Sequence, residues 1–188
     1  MPTSSFENIV DRIEAVFRDH GDAEYLGEPV TMSQHMLQAA HLAELQGEAE
    51  DIVVAALLHD IGHFTGEMGA FTMEDVEDRY HEDAGAVLLD GHFPARIVDC
   101  VKYHVAAKRY LCATDVEYYD LLSEASRHSL KLQGGAMPAD ECAQMQRNPN
   151  LDAILKVRRL DEAAKDPQMQ TPAFAHYRGM IERQRSRS

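Results

Sequence analysis

The sequence predicts an all-α fold. Apolar residues recur at three- and four-residue spacing in one segment after another. No segment alternates apolar and polar residues over strand length. Most glycines and prolines fall between the periodic segments rather than inside them. A length of 188 residues suits one domain with a sizeable core, so a single domain over 1–188 is expected. No internal repeat or low-complexity linker divides it.

Ser4 or Ser5 can cap a first helix through FENIVDRIEAVFRDHG, with Phe6, Ile9, Val10, Ile13, Val16 and Phe17 on one face and Gly21 as its end. Residues 22–30 contain Gly27 and Pro29 and are expected to form a loop carrying Tyr25 and Glu28. Residues 31–47 give a second helix, with His35 on the apolar face of Met32, Met36, Ala39, Ala40 and Ala43. A third helix, about 49–61, contains the unbroken apolar run from Ile52 to Leu58 and then presents His59 and Asp60 side by side. Gly62 could serve as its cap. Residues 64–78 change periodicity around two glycines and are expected as a loop with a short helix, able to act as a lid.

A helix from near His81 closes at Gly91, and Pro94 opens the next, where Ile97, Val98, Val101 and His104 share an apolar face. One helical run is expected over 117–135, stopped by Gly134-Gly135, then a polar connector. The helix over 148–165 has Leu151, Ile154, Leu155, Val157 and Leu160 apolar, with Asp161 beside that face. Thr171-Pro172 begins the last helix, which turns basic near its end as the helix dipole favours.

Charge and cysteine usage narrow the function. The net charge is −14, which argues against a nucleic-acid backbone or an anionic membrane as partner. Cys100, Cys112 and Cys142 are far apart and form no CxxC, so neither a disulfide framework nor a cysteine metal site is expected. The N-terminus lacks a basic region followed by an apolar core, and no apolar run approaches membrane-spanning length. A cytoplasmic enzyme or binding protein is the expectation.

Polar residues on or beside apolar helix faces carry the chemistry. His35, His59, Asp60, His81, His104 and Asp161 come from five segments, and burying them is costly unless something pairs with them. Convergence in a bundle core is how carboxylate-bridged dinuclear sites are built. Four ligands would serve one metal, two further histidines make a second metal plausible, and Asp60 is placed to bridge. Nitrogen and carboxylate ligands without sulfur fit iron or manganese. Lys108 and Arg158, a point charge and a planar fork, would suit an anionic substrate. Gly134-Gly135 could present backbone N–H groups to that anion, or could simply stop a helix.

The pattern of His35, His59-Asp60 and Asp161 resembles the HD-domain superfamily, most of whose members are phosphohydrolases. The finer motifs EYLGE, HDIGH, the His81-Glu82 pair, HVAAKRYL, the LSEASR…LQGG stretch and KVRRLDE resemble a narrower family. These are the HD-domain mixed-valent diiron oxygenases that cleave organophosphonates, and the resemblance runs from about Asp22 to Tyr177. It implies a helical bundle holding two irons, Fe(II)/Fe(III), one on His35, His59, Asp60 and Asp161, the other on Asp60, His81 and His104. It assigns His63, Lys108 and Arg158 to the phosphonate and hydroxyl oxygens, with Ser126 and Gln133 supporting. Tyr25 would cap the second iron before substrate arrives, with Glu28 near the substrate amine.

The implied reaction is O2-dependent oxidative C–P cleavage of a 1-hydroxy-2-aminoethylphosphonate. A trimethylammonium cannot donate N–H bonds and prefers aromatic faces. Tyr25, Phe64 and Phe71, with Met68, could supply such a box, so the N-trimethyl substrate, giving glycine betaine and phosphate, is favoured over the free amine, giving glycine. The alternative is a metal-dependent HD phosphohydrolase, distinguished by turnover that consumes no O2. A non-enzymatic metal sensor is disfavoured by the complete ligand set.

Overall fold

A computed structural model describes residues 8–25, 27–64 and 80–186. Within them lie ten α-helices: α1 (Ile9–His20), α2 (Met32–Leu45), α3 (Glu50–Leu58), α4 (His81–Leu89), α5 (Ala95–Thr114), α6 (Tyr118–Leu121), α7 (Glu124–Leu132), α8 (Ala139–Met145), α9 (Leu151–Ala163) and α10 (Phe174–Gln184). No strand occurs among the described residues, and an isolated antiparallel bridge pairs Glu24 with Thr31.

The bundle is built around α3. Its residues Ile52 to Leu58 are all buried, as expected of a helix apolar on every side. It packs against α2, α5, α9 and α10. The α2 face turned toward the core is Met36, Ala39, Ala40 and Ala43, and α3 contributes Ala55 and Ala56. Small side chains on both helices let the backbones approach closely. Thr31 starts α2 with a reciprocal capping box: its side chain accepts from Gln34 N–H, and Gln34 accepts from Thr31 N–H. Among the described residues no helix is long and apolar enough to cross a membrane.

Several elements differ from the sequence expectation. The first helix starts at Ile9, where Asn8 Oδ1 accepts from Val10 N–H at 3.1 Å. Ser4 and Ser5 lie outside the described residues, as does the proposed lid over 64–78 beyond Phe64, with Met68 and Phe71. The run 117–135 is two helices. Leu122 is extended, and the Ser123 hydroxyl accepts from Ser126 N–H to start α7 afresh. The polar connector contains α8, whose buried residues are only Cys142 and Met145, too few for a periodic signal. The last helix starts at Phe174, two residues beyond Pro172.

Candidate metal centre

The end of α3 sets the geometry. His59 is its C-cap, and its Nδ1–H donates to Ala56 O at 2.7 Å, one turn back. His104 in α5 does the same to Val101 O at 2.7 Å, and His35 in α2 donates to Ala164 O, just past α9, at 2.9 Å. A carbonyl only accepts, so these three rings carry a proton on Nδ1 and turn Nε2 inward. His35 Nε2 and His59 Nε2 then face each other at 3.0 Å, and His81 Nε2 and His104 Nε2 at 3.0 Å.

Asp60 stands between the two pairs. Its Oδ2 lies 3.5 Å from His35 and 3.4 Å from His59, while its Oδ1 lies 3.3 Å from His81 and 3.2 Å from His104. Asp161 Oδ1 joins the first pair, 3.3 Å from His35 and 3.8 Å from His59. Asp60 Oδ2 and Asp161 Oδ1 are buried without a hydrogen-bond partner among the described residues. Buried orphan oxygens beside imidazole lone pairs are what a cation satisfies. The residues therefore fit two metal ions, one on each side of Asp60, with a nitrogen and carboxylate donor set suited to iron or manganese.

The electrostatics agree. Burial alone would push the Asp60 carboxyl up, but the neighbouring histidines, His59 first, hold it well below the usual range. Asp161 is likewise raised by burial and lowered further by Arg158 and His59. Burial opposes a charge on His35, yet the nearby Asp161 and Asp60 carboxylates outweigh it and raise its pKa to about 9.

The two halves of the site differ in access. His35 and His59 are fully enclosed, whereas Asp60, His81, His104 and Asp161 line a cavity. Tyr25, Glu28, His63, Lys108, Ser126, Gln133 and Arg158 line the same cavity. The structure thus brings together the six metal-competent residues and these seven neighbours of the cavity.

Lys108 is the most telling of these. It is 4% exposed, donates to Ser129 Oγ at 2.7 Å, and has no carboxylate in ion-pair range among the described residues. Burial, then Arg158, lowers its pKa to about 7. Arg158 is more committed: Nε donates to the Tyr118 hydroxyl at 2.7 Å, and the other two nitrogens pair with Asp161 and Glu162. His63 stacks on His81 with centroids 3.9 Å apart, and burial followed by the His81 charge keeps it neutral. Tyr25 stacks on His35 at 3.9 Å, and burial pushes its phenol up.

Two expectations change. Phe64 packs against Tyr25, Val30 and Met32 and does not line the cavity, so it forms no wall of an ammonium box. The Gly134 and Gly135 N–H groups donate to Lys131 O and Leu130 O, so these glycines stop α7 and present no free donors to an anion. Four residues were not singled out from sequence. Glu162 accepts from Ser123 N at 2.9 Å and Ser126 Oγ at 2.8 Å; Lys165 reaches Glu28 at 3.1 Å. Ser123 and Ser129 complete that wall. Glu162 sits in the KVRRLDE motif beside Asp161, and that adjacency was the available signal.

Gly62 is not the cap of α3. It lies in the 3-10 turn Ile61–Phe64, where a Cβ would stand 1.8 Å from His81 O and 2.6 Å from Gly85 N. That close crossing fixes the start of α4, and with it His81, against Asp60. Gly62→Ala is expected to cost about 1–3 kcal/mol or more and to lower metal content at the His81 side. Thermal unfolding and metal analysis check this; wild-type values in both would mean the turn gives way freely.

With this geometry in view, the class can be stated: the chain belongs to the HD-domain family, which matches residues 32–157. It is 61% identical over 94% of its length to [1-hydroxy-2-(trimethylamino)ethyl]phosphonate dioxygenase (glycine-betaine-forming) of Leisingera caerulea, covering 90% of that protein. It is 38% identical to hydroxymethylphosphonate dioxygenase of Gimesia maris, over 92% of this chain and 87% of that one. It is also 32% identical, over 95% and 84%, to the uncharacterized protein L432 of Acanthamoeba polyphaga mimivirus. The HD match ends before Arg158, Asp161 and Lys165, whereas the dioxygenase likeness spans nearly the whole chain.

Proposed function

We propose that this chain, acting as one domain over 1–188, is a diiron oxygenase that cleaves the C–P bond of (1-hydroxy-2-(trimethylamino)ethyl)phosphonate. The net reaction joins the substrate and O2 to give glycine betaine, phosphate and a proton, one oxygen being added to carbon and one to phosphorus. The observation that carries the reading is a buried Lys108, without a counter-ion among the described residues, in the cavity that also opens onto Asp60, His81 and His104. A phosphonate supplies the missing negative charge. The 61% likeness to a protein named for this activity supports the substrate class.

In this reading His35, His59, Asp60 and Asp161 hold one iron, and Asp60, His81 and His104 the other. The mixed-valent pair supplies the redox chemistry with O2 when bound. The protein's own residues bind and orient. Lys108, Arg158 and neutral His63 meet the phosphonate and hydroxyl oxygens, with Ser126 and Gln133 at the edge of that pocket. Glu28 meets the cationic end, and Tyr25, on the same loop, closes the site before substrate enters. The acidic surface fits a cytoplasmic enzyme for a small molecule and no nucleic-acid partner.

The test is anaerobic iron loading followed by O2 uptake and phosphate release with the trimethyl, free-amine and hydroxymethyl phosphonates side by side. O2 uptake matched to phosphate release, fastest with the trimethyl compound, is expected. Phosphate released from a phosphate ester without O2 uptake would mean a hydrolase instead.

A pH dependence follows from Lys108. Only its protonated form attracts the anion, so kcat/KM, which reports the free enzyme, should fall as pH rises through about 7. Lys108→Arg, always charged, should move that fall upward. The ratio of wild type to variant removes the substrate's own ionisation. Parallel profiles would detach Lys108 from binding.

A further inference from the structure

Lys165 sits just past the end of α9 and belongs to neither the ligand set nor the anion clamp. Its Nζ lies 3.1 Å from Glu28, 3.1 Å from Glu162, 2.8 Å from Ser126 Oγ and 3.2 Å from Ser123 Oγ. Its side chain is 11% exposed, and those of Glu28 and Glu162 are 9% and 8%. An ammonium with four oxygen neighbours in a nearly closed wall is a built feature rather than a surface pair.

The backbone beneath it is fixed. Ala164 O accepts from His35 Nδ1, and Gln38 clamps Asp166 reciprocally: its amide donates to Asp166 O at 2.7 Å and its Oε1 accepts from Asp166 N–H at 3.0 Å. Lys165 therefore projects from a platform tied to α2 and to a proposed metal ligand. What it holds is Glu28, whose N–H donates to Tyr25 O at 2.7 Å. Glu28 lies on the loop before α2, and Glu28 Oε1 takes both the Ser123 hydroxyl at 2.5 Å and Lys165. That fills the two acceptor positions of Oε1 and leaves Oε2 without a hydrogen bond among the described residues.

We propose that Lys165 is a positioning residue that seats Glu28 so that its free oxygen faces the cationic end of the substrate. This rests on the proposed function. Lys165 is itself a cation, and Glu162 is shared between it and Arg158, so the attraction for an ammonium rests on the free Glu28 oxygen rather than on a net charge of the wall. Without Lys165, Glu28 keeps a single hydroxyl partner and is no longer held at the cavity wall.

The test is anaerobic calorimetry on iron-loaded enzyme with two ligands, the trimethyl phosphonate and hydroxymethylphosphonate, which has no cationic end. In Lys165→Met the affinity for the trimethyl compound should fall at least tenfold further than that for the hydroxymethyl compound. Lys165→Arg should restore most of the difference. Glu28→Gln should give a loss of the same kind, and adding Lys165→Met to it should cost little more, because one residue acts through the other. If Lys165→Met folds poorly, Lys165→Gln, which keeps a neutral polar donor on a chain one atom shorter, decides with the same expected direction. Additive losses, equal losses for both ligands, or tighter binding of the trimethyl compound overturn the role. Wild type that binds neither phosphonate overturns the proposed function, and this role with it; wild type that binds while the cycle is additive overturns the Lys165 role alone.

Discussion

Asp60→Ala is expected to empty both metal positions at once. Each Asp60 oxygen serves a different histidine pair, Oδ2 at 3.4–3.5 Å from His35 and His59, and Oδ1 at 3.2–3.3 Å from His104 and His81. Removing it deletes the ligand common to both halves and leaves imidazole lone pairs facing each other across a dry gap. Outer-shell residues cost roughly 10–100-fold in metal affinity or activity, and a shared ligand should exceed that. The contrast is His104→Ala. It touches only the Oδ1 side, so it should chiefly deplete the second metal and leave the enclosed His35–His59–Asp161 set loaded. Metals counted per chain after anaerobic loading, with Mössbauer spectra of the iron-loaded forms, separate the two. Equal retention in Asp60→Ala and His104→Ala would show that Asp60 is not shared.

How far the sequence foretold this site depends on what each residue reports locally. The metal-competent residues were legible because a His or Asp on an apolar face is anomalous, and each anomaly falls at a helix position that periodicity defines. Lys108 and Arg158 were legible through motifs. Lys165 was not, because a lysine just after a helix is ordinary; its meaning comes from Glu28, 137 positions away in the chain, on a loop with no periodicity. Gly62 was legible as a glycine but not in its reason, since the need comes from His81 O in α4. The break between α6 and α7 was hidden because Tyr118, Leu122 and Leu130 keep an apolar face across it, while Ser123 turns its hydroxyl to Ser126 N–H and Glu28. In each case a tertiary partner overrode a local preference.

That distinction also decides which clamp variant is informative. Arg158 pairs with Asp161, a proposed ligand, and with Glu162, so Arg158→Ala should loosen the first metal as well as the anion pocket. Lys108 touches Ser129 and no ligand, which makes Lys108→Met the cleaner experiment. Loss of a charge-assisted contact in a desolvated pocket costs about 2–5 kcal/mol. On that scale, affinity for the phosphonate should fall by about 30- to 5000-fold, with metal content unchanged. Stability should move the other way. The Lys108 pKa is depressed to about 7 from 10.5 by burial, so the folded chain disfavours its charge. That penalty is present in full below about 7 and fades as pH rises toward the unfolded value. Replacing the ammonium with a thioether removes it. Lys108→Met should therefore raise the unfolding temperature of the substrate-free enzyme, most at pH 6 and least near pH 10, while binding collapses. A variant that unfolds more easily at pH 6, or that binds the phosphonate as wild type does, would assign Lys108 to structure rather than to the substrate's charge.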